Sequence, residues 1–264
     1  TIVTQPSVTA VYNVYGAAAG CKSATQPATV TVFALPTITL SSRSSSICLN
    51  SSTTFSVKGT GTAYQWMPGN ALNSNTGTLI TCSTLSNQVY TVMATVNNCT
   101  SAITASVHVW PLPTPSITSA SKQVCVGDTI NLSASGASIY EWKAPDNTTV
   151  KGQQVKIIAV SATMAGNYTL TAIDTNACVN STVTAVKVLS LPGGEIENFA
   201  EAACAPYCMP IKFLADNNRK VSSSWKVNGK VIAEAPIDYC FTNAGTYTLT
   251  GKVVEELTGC SSNV

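Results

Sequence analysis

The chain repeats itself every eighty residues or so, and that period constrains its fold more than any other feature. Segments opening on tyrosine and closing on cysteine begin at Tyr12, Tyr90, Tyr168 and Tyr247 and end at Cys21, Cys99, Cys178 and Cys260. A tryptophan precedes three of the tyrosines, Trp66, Trp142 and Trp225, and a cysteine lies 17 or 18 residues before each tryptophan, at Cys48, Cys125 and Cys208. The first three blocks run into an alternating strand that ends in Leu-Pro: VTVFALP, VHVWPLP and VKVLSLP. A fixed period of this length marks an array of structural repeats rather than one large domain. Four units tile the chain, over residues 1–35, 36–112, 113–191 and 192–264. The first holds only its last strands and the fourth lacks its closing strand, so the chain is expected to be a piece of a longer polypeptide.

Within a unit the apolar pattern has the period of a strand. Ile130, Leu132 and Ala134 alternate with Asn131, Ser133 and Ser135, as they must if one face is buried. Short segments of this kind recur: Ile139–Lys143 around Trp142, Val155–Ala159, Tyr168–Ala172 and Val183–Leu189. No segment carries a helical stripe of useful length. The expected fold class is all-β: tandem Greek-key β-sandwiches arranged head to tail. Trp66, Trp142, Trp225, Tyr90, Tyr168 and Tyr247 recur at fixed places and are expected in the cores.

Composition narrows the function. Charged residues make up 10% of the chain and its net charge is +2, which leaves no basic footprint for nucleic acid. No apolar run is long enough to cross a membrane. Ten cysteines beside one histidine, His108, point to disulfides in an oxidising compartment rather than to zinc, because only Cys204 and Cys208 lie close together. A single histidine completes no catalytic dyad from a second copy, and neither a phosphate-cradling glycine loop nor a nucleophile elbow occurs. Glu195, Glu197 and Glu201 form the one acidic cluster and read as a solvated linker face. No cofactor, metal or catalytic residue is expected.

The order cysteine, VGDTINLSA, YEW, AGNYTLTAIDTNAC, VKVLSLP resembles the Ig-like and polycystic-kidney-disease-like repeats of giant Bacteroidota cell-surface adhesins, among them gliding-motility adhesins exported by type IX secretion. The resemblance covers the whole chain and is strongest from Pro36 to Pro192. The fourth unit is more similar to the polycystic-kidney-disease-like variant, with Asn228-Gly229-Lys230 where that variant has Gly-Asp-Gly. The resemblance implies a secreted, non-enzymatic stalk or filament segment whose partners are neighbouring repeats, surface glycans or the substratum, with lateral self-association a further option. The alternatives are a glycan- or ligand-binding module and a spacer of a secreted enzyme. Asp128-Thr129-Ile130 resembles an O-glycosylation sequon, which implies a glycan on Thr129.

With strands lettered A to G as in Ig sandwiches, two disulfide schemes are open. Cys125 could bond Cys178 within its own unit. Cys125, however, precedes strand B and Cys178 follows strand F, and these strands run the same way, so a seven-residue strand of about 23 Å separates the two positions. The other scheme joins neighbours, Cys48 with Cys178 and Cys125 with Cys260, and sends Cys21 and Cys99 to partners outside the chain. Cys240 then takes Cys204 or Cys208, and Cys82 remains as a free thiol. Phe33, Trp110 and Leu189, each just before Leu-Pro, are expected as apolar plugs between units.

Overall fold

The structure is a computed structural model that describes residues 3–119, 122–197, 200, 202–234 and 237–264. It comprises two compact units, Thr1–Leu112 and Pro113–Val264. The described residues are strands, turns and irregular backbone apart from two 3₁₀ turns, Ala162–Met164 and Asp216–Asn218. No helix among them is long and apolar enough to cross a membrane.

In the first unit, β1 (Ala10–Val14), β2 (Ala17–Ala18), β3 (Cys21–Lys22) and β4 (Gln26–Val30) make one hairpin, β1 pairing β4 and β2 pairing β3. Every residue of β4 is exposed. A sandwich follows, built from β5 (Ile38–Leu40), β6 (Ser44–Cys48), β7 (Thr53–Gly59), β8 (Ala63–Met67), β9 (Leu79–Cys82), β10 (Gln88–Val96) and β11 (Cys99–Trp110). Its sheets run β5-β7-β9 and β6-β11-β10-β8. Phe55, Val57 and Ile80 from one face meet Trp66, Tyr90, Val92, Ala105 and Val107 from the other.

The second unit opens with a sandwich of β12 (Ser116–Ser119), β13 (Gln123–Cys125), β14 (Thr129–Ser135), β15 (Ile139–Lys143), β16 (Thr149–Lys151), β17 (Gln154–Ile158), β18 (Gly166–Ile173) and β19 (Val179–Leu189). Its sheets run β12-β14-β17 and β13-β19-β18-β15-β16. Ile130, Leu132 and Ala134 are buried while their neighbours in β14 face outward. This sandwich has eight strands rather than the expected seven. Strand A splits into β12, which pairs β14, and β13, which crosses over to lie parallel to β19. β16 is an added hairpin partner of β15, turned by Asp146, whose carboxylate accepts hydrogen bonds from the Thr148 amide and hydroxyl. The remaining strands are β20 (Gly194–Ile196), β21 (Tyr207–Ile211), β22 (Phe213–Ala215), β23 (Val221–Val227), β24 (Lys230–Glu234), β25 (Ile237–Phe241), β26 (Leu249–Glu255) and β27 (Ser261–Asn263). They form β24-β23-β26-β27 and the pairs β20-β22 and β21-β25. The closing strand expected to be missing is therefore present as a short piece, β27, paired to β26. Both complete sandwiches are Ig-like in strand order, and the fold class is all-β with these sandwiches in tandem.

The three repeat tryptophans are the central wedges, each 1% exposed or less. Burying indole requires a partner for its N–H. Trp66 donates to the Gly77 carbonyl (3.1 Å) and Trp142 to the Gly152 carbonyl (3.0 Å), the same solution in both sandwiches. Trp225 instead uses the Ser223 hydroxyl (3.2 Å) and lies across Gly251, its cross-strand partner. A Cβ at Gly251 would sit 2.5 Å from the indole, so the ring requires glycine there. Tyr90 and Tyr168 are fully buried. Tyr168 donates to the carbonyl four residues earlier, Met164 (3.0 Å), in the manner of a tyrosine corner. Tyr247 makes the equivalent bond to Asn243 (3.0 Å) but is only half-buried, which corrects its placement as a core residue. It lies two residues before β26 begins, and its ring packs on Phe241 (4.8 Å between centroids) outside the apolar cluster of Ile211, Phe213, Trp225 and Val253.

These phenols set an alkaline limit. Burial, then the neighbouring Cys82 side chain, holds Tyr90 above its ordinary value of 10.0, and burial, then Asp146, raises Tyr168. An acid whose folded pKa is raised contributes stability that is intact below the unfolded pKa and lost as pH rises beyond it. Thermal melts from neutral pH upward are expected to hold steady to about pH 10 and fall steeply above it. Tyr90→Phe with Tyr168→Phe should flatten that fall. An unchanged slope in the double variant would discard the assignment.

Candidate functional site

The cysteines occupy two structural positions. The first is the end of the split-off strand. Cys48 is the last residue of β6 and pairs with Trp110, the last residue of β11; Cys125 is the last residue of β13 and pairs with Leu189, the last of β19. The next amide closes the ladder in both, Leu49 N–H to the Trp110 carbonyl (2.8 Å) and Val126 N–H to that of Leu189 (2.9 Å). Parallel pairing thus puts each cysteine at the pole where the chain leaves its sandwich. The second position is the F–G turn. Cys21, Cys99, Cys178 and Cys260 each follow a residue of left-handed backbone: Gly20 (φ 78°), Asn98 (63°), Ala177 (62°) and Gly259 (75°). Left-handed backbone, at one residue before Cys178 and Cys260 and at two before Cys21 and Cys99, reverses the chain tightly, so each cysteine stands at the start of strand G, at the opposite pole.

The structure bonds one member of each class to the other across consecutive repeats. Cys125 and Cys260 form a disulfide, with Cα atoms 5.6 Å apart. Polar contacts surround it. Arg219 donates to the Ser190 and Leu191 carbonyls (3.3 and 3.4 Å) and to the Ser190 hydroxyl (2.8 Å), and it also pairs with Glu255 (3.5 Å). Glu255 accepts from the Thr258 hydroxyl (2.7 Å), which accepts in turn from the Cys260 amide (3.2 Å). The Ser262 hydroxyl donates to the Pro192 carbonyl (2.6 Å); at the opposite pole of repeat 113–191 from Cys125, Asn180 Nδ2 makes the corresponding bond to the Pro113 carbonyl (2.9 Å). Asn180 and Ser262 lie two residues after their F–G cysteines, a role absent from the sequence expectations. A signal for it exists, since all four copies read Cys-x-Ser or Cys-x-Asn: CKS, CTS, CVN and CSS.

Cys48 and Cys178 are each disulfide-bonded. Cys208 and Cys240 bond each other as directly opposed residues of β21 and β25, Cα atoms 4.0 Å apart. Cys208 therefore lies inside a strand, and the tryptophan spacing misaligned it with Cys48 and Cys125. Cys204 matches Cys125 in sequence, standing five residues before buried Met209 as Cys125 stands five before buried Ile130, but it lies on unpaired backbone. Cys204 and Cys21 are exposed thiols, Cys99 is half-buried, and Cys82 is buried with its S–H on the Tyr90 oxygen (3.2 Å).

Other sequence candidates stand apart from this site. Trp110 and Leu189 are half-buried strand ends, whereas Phe33 is 50% exposed, so its expected role as a plug is corrected. Phe33 lies beyond the end of β4, with no ladder to hold it against a neighbour. His108 is half-buried and edge-on to Trp110 (4.1 Å). Thr129 is exposed at the start of β14, and the adjacent Asp128 carboxylate accepts the Cys125 amide (3.0 Å). Glu197 pairs with Lys212 (2.8 Å), Glu195 is exposed, and Glu201 lies outside the described residues. Among the described residues no three His, Cys, Asp or Glu side chains group so as to hold a metal.

No protein-family model matches the chain and no curated protein matches it in sequence. Solved Ig-domain arrays are similar to it in fold. The eight N-terminal Ig domains of Down syndrome cell adhesion molecule are 16% identical with a TM-score of 0.47, over 97% of this chain and 39% of that one. The I67–I69 fragment of the titin I-band is 17% identical with a TM-score of 0.38, over 88% and 98%. Sidekick-1 Ig domains 1–5 are 17% identical with a TM-score of 0.28, over 71% and 47%. The chain thus spans about two fifths of the cell adhesion molecule fragment it matches. Its Ig-like fold stands on its own strand order and register.

Proposed function

We propose that this chain is a non-catalytic, load-bearing stretch of a secreted cell-surface adhesin, in which Ig-like repeats act as a spacer stiffened at their junctions. The carrying observation is the Cys125–Cys260 disulfide, which ties the exit pole of one sandwich to the F–G turn of the next repeat. A rod gains stiffness from a covalent bond placed there, because the bond and the Arg219 network restrict bending at the linker. The same rule pairs Cys48 with Cys178 and extends the staple along the array, with units 36–112 and 113–191 as its full repeats. Disulfides favour an oxidising, extracellular setting, and the sequence resemblance to giant Bacteroidota surface adhesins supplies a role in attachment or gliding, with Thr129 as an accessible glycan acceptor.

The test is labelling of intact cells with an antibody raised against residues 36–192. Signal on the surface, in extended projections, is expected. Signal confined to the medium, with none on cells, would overturn the reading in favour of a spacer in a released enzyme.

A further inference from the structure

The two complete sandwiches treat one sheet edge differently. In both, the smaller sheet ends on strand E, which is β9 in repeat 36–112 and β17 in repeat 113–191. Thr53 pairs Cys82 and Ile130 pairs Ile157, each six residues before a glycine, Gly59 or Gly136, set against a threonine carbonyl, Thr37 or Thr114. Cys82 and Ile157 therefore hold the same place, as do Thr81 and Lys156. In repeat 36–112 the chain between strands C and E folds back along β9. Leu72 bridges Cys82 and packs on the core. The Asn73 amide donates to the Thr81 carbonyl (3.0 Å), the Thr81 amide to Asn73 Oδ1 (2.7 Å) and the Ser83 amide to the Ala71 carbonyl (2.8 Å). Under that cover Cys82 is fully buried. In repeat 113–191 the matching stretch is spent on β16, which pairs β15 in the other sheet, and among the described residues no strand pairs the outer edge of β17. Gln153 and Ala159 bond toward β14, so the alternation of an antiparallel ladder turns the backbone of Gln154, Lys156 and Ile158 outward. Among the described residues these three amides, and the carbonyls of Gln154 and Lys156, have no hydrogen-bond partner. Ile157 is only half-buried, and Ile158 is 60% exposed.

We propose that the outer edge of β17 binds an extended peptide of another protein as an added strand D. An apolar side chain of that peptide sits inward beside Ile157, as Leu72 sits beside Cys82, and a carboxylate sits outward beside Lys156. Unpaired edge groups are a template for strand addition, in which main-chain hydrogen bonds supply affinity and alternate side chains supply specificity. Repeat 36–112 shows what completes such an edge, because its own Leu72 and Asn73 do so. Lys156 selects the charge, since it enters no ion pair among the described residues. A second copy fits poorly. The twofold register that uses Gln154, Lys156 and Ile158 together sets Lys156 against Lys156, and directly opposed like charges destabilise a strand pair.

The experiment follows amide hydrogen exchange in the full oxidised chain, alone and with blocked peptides of about seven residues that alternate valine and threonine. One peptide carries glutamate at its central polar position, one carries lysine there, and one is a fully N-methylated copy of the glutamate peptide. With the glutamate peptide in excess, the amides of Gln154, Lys156 and Ile158 should exchange about tenfold or more slowly, while those of Thr81 and Ser83 keep their rates. The lysine peptide should bind about threefold or more weakly, and Lys156→Glu should reverse that preference. The N-methylated peptide has no donors and should leave exchange unchanged. Unaltered exchange with the glutamate peptide, an equal effect of the N-methylated copy, or a preference that Lys156→Glu leaves in place would overturn the proposal. Slowing of the three amides with rising protein concentration and no peptide would overturn it too, by assigning the edge to a second copy. None of these outcomes touches the Cys125–Cys260 junction, so the adhesin reading stands or falls separately.

Discussion

Stretched between its ends until every sandwich has unfolded, the oxidised chain is expected to stop well short of the length the reduced chain reaches. A disulfide takes the residues between its cysteines out of the loaded path, and Cys125 and Cys260 are 135 residues apart in sequence. At about 3.4 Å per residue, roughly 460 Å of contour stays hidden until the bond is reduced. Single-molecule force spectroscopy with and without dithiothreitol measures the difference directly. Equal final extensions in the two conditions would mean that the staple does not form in the folded protein, and the load-bearing reading would fail with it. A shortfall of only about 110 Å, the contour closed by Cys208–Cys240 with its separation of 32, would point to the same conclusion.

How much of this was readable in the sequence depends on the range of the interaction concerned. The alternation Ile130, Leu132, Ala134 declares a buried strand face because the pleat is local. Trp142 and Tyr168 declare a core because they recur at fixed spacing. The F–G cysteines share a closing position for the same reason. What escaped was set by non-local partners. β13 is three residues long, too short to show any period, and exists because it pairs in parallel with the end of β19. Cys208 keeps the spacing of Cys48 and Cys125 to the tryptophan, yet sits within a strand opposite Cys240. Phe33 shares its motif position with Trp110 and Leu189, and differs only in lacking a paired strand end. Arg219 is one of few arginines in a charge-poor chain, but two of its acceptors are backbone carbonyls 28 and 29 residues away, and backbone carbonyls leave no mark in composition.

Trp142→Ala is expected to unfold the third repeat selectively. Its indole is fully buried between the two sheets, among Ile130, Leu132, Tyr168 and Leu170, and its N–H is bonded to the Gly152 carbonyl. Truncating a buried tryptophan costs about 3–5 kcal/mol, through lost transfer free energy and the cavity left behind. The Gly152 carbonyl also loses its side-chain donor. For a domain of this size each kcal/mol moves the melting temperature by about 4–8 °C, so a fall of roughly 12–40 °C is expected for this repeat. Ile139→Ala, one strand position outside the core at 54% exposure, should stay within about 0.5 kcal/mol of the parent. Amide hydrogen exchange separates local from global loss: amides of β14, β15 and β18 should lose protection while those of β7 and β10 keep theirs. The junction makes a second outcome informative. Cys125 belongs to the repeat that melts and Cys260 to the next, so early deprotection of β26 and β27 in the same variant would mean that the staple transmits unfolding across the linker. Protection retained in both the third and fourth repeats, with a melting temperature near that of the parent, would show that the tryptophan is not the pillar of the sandwich.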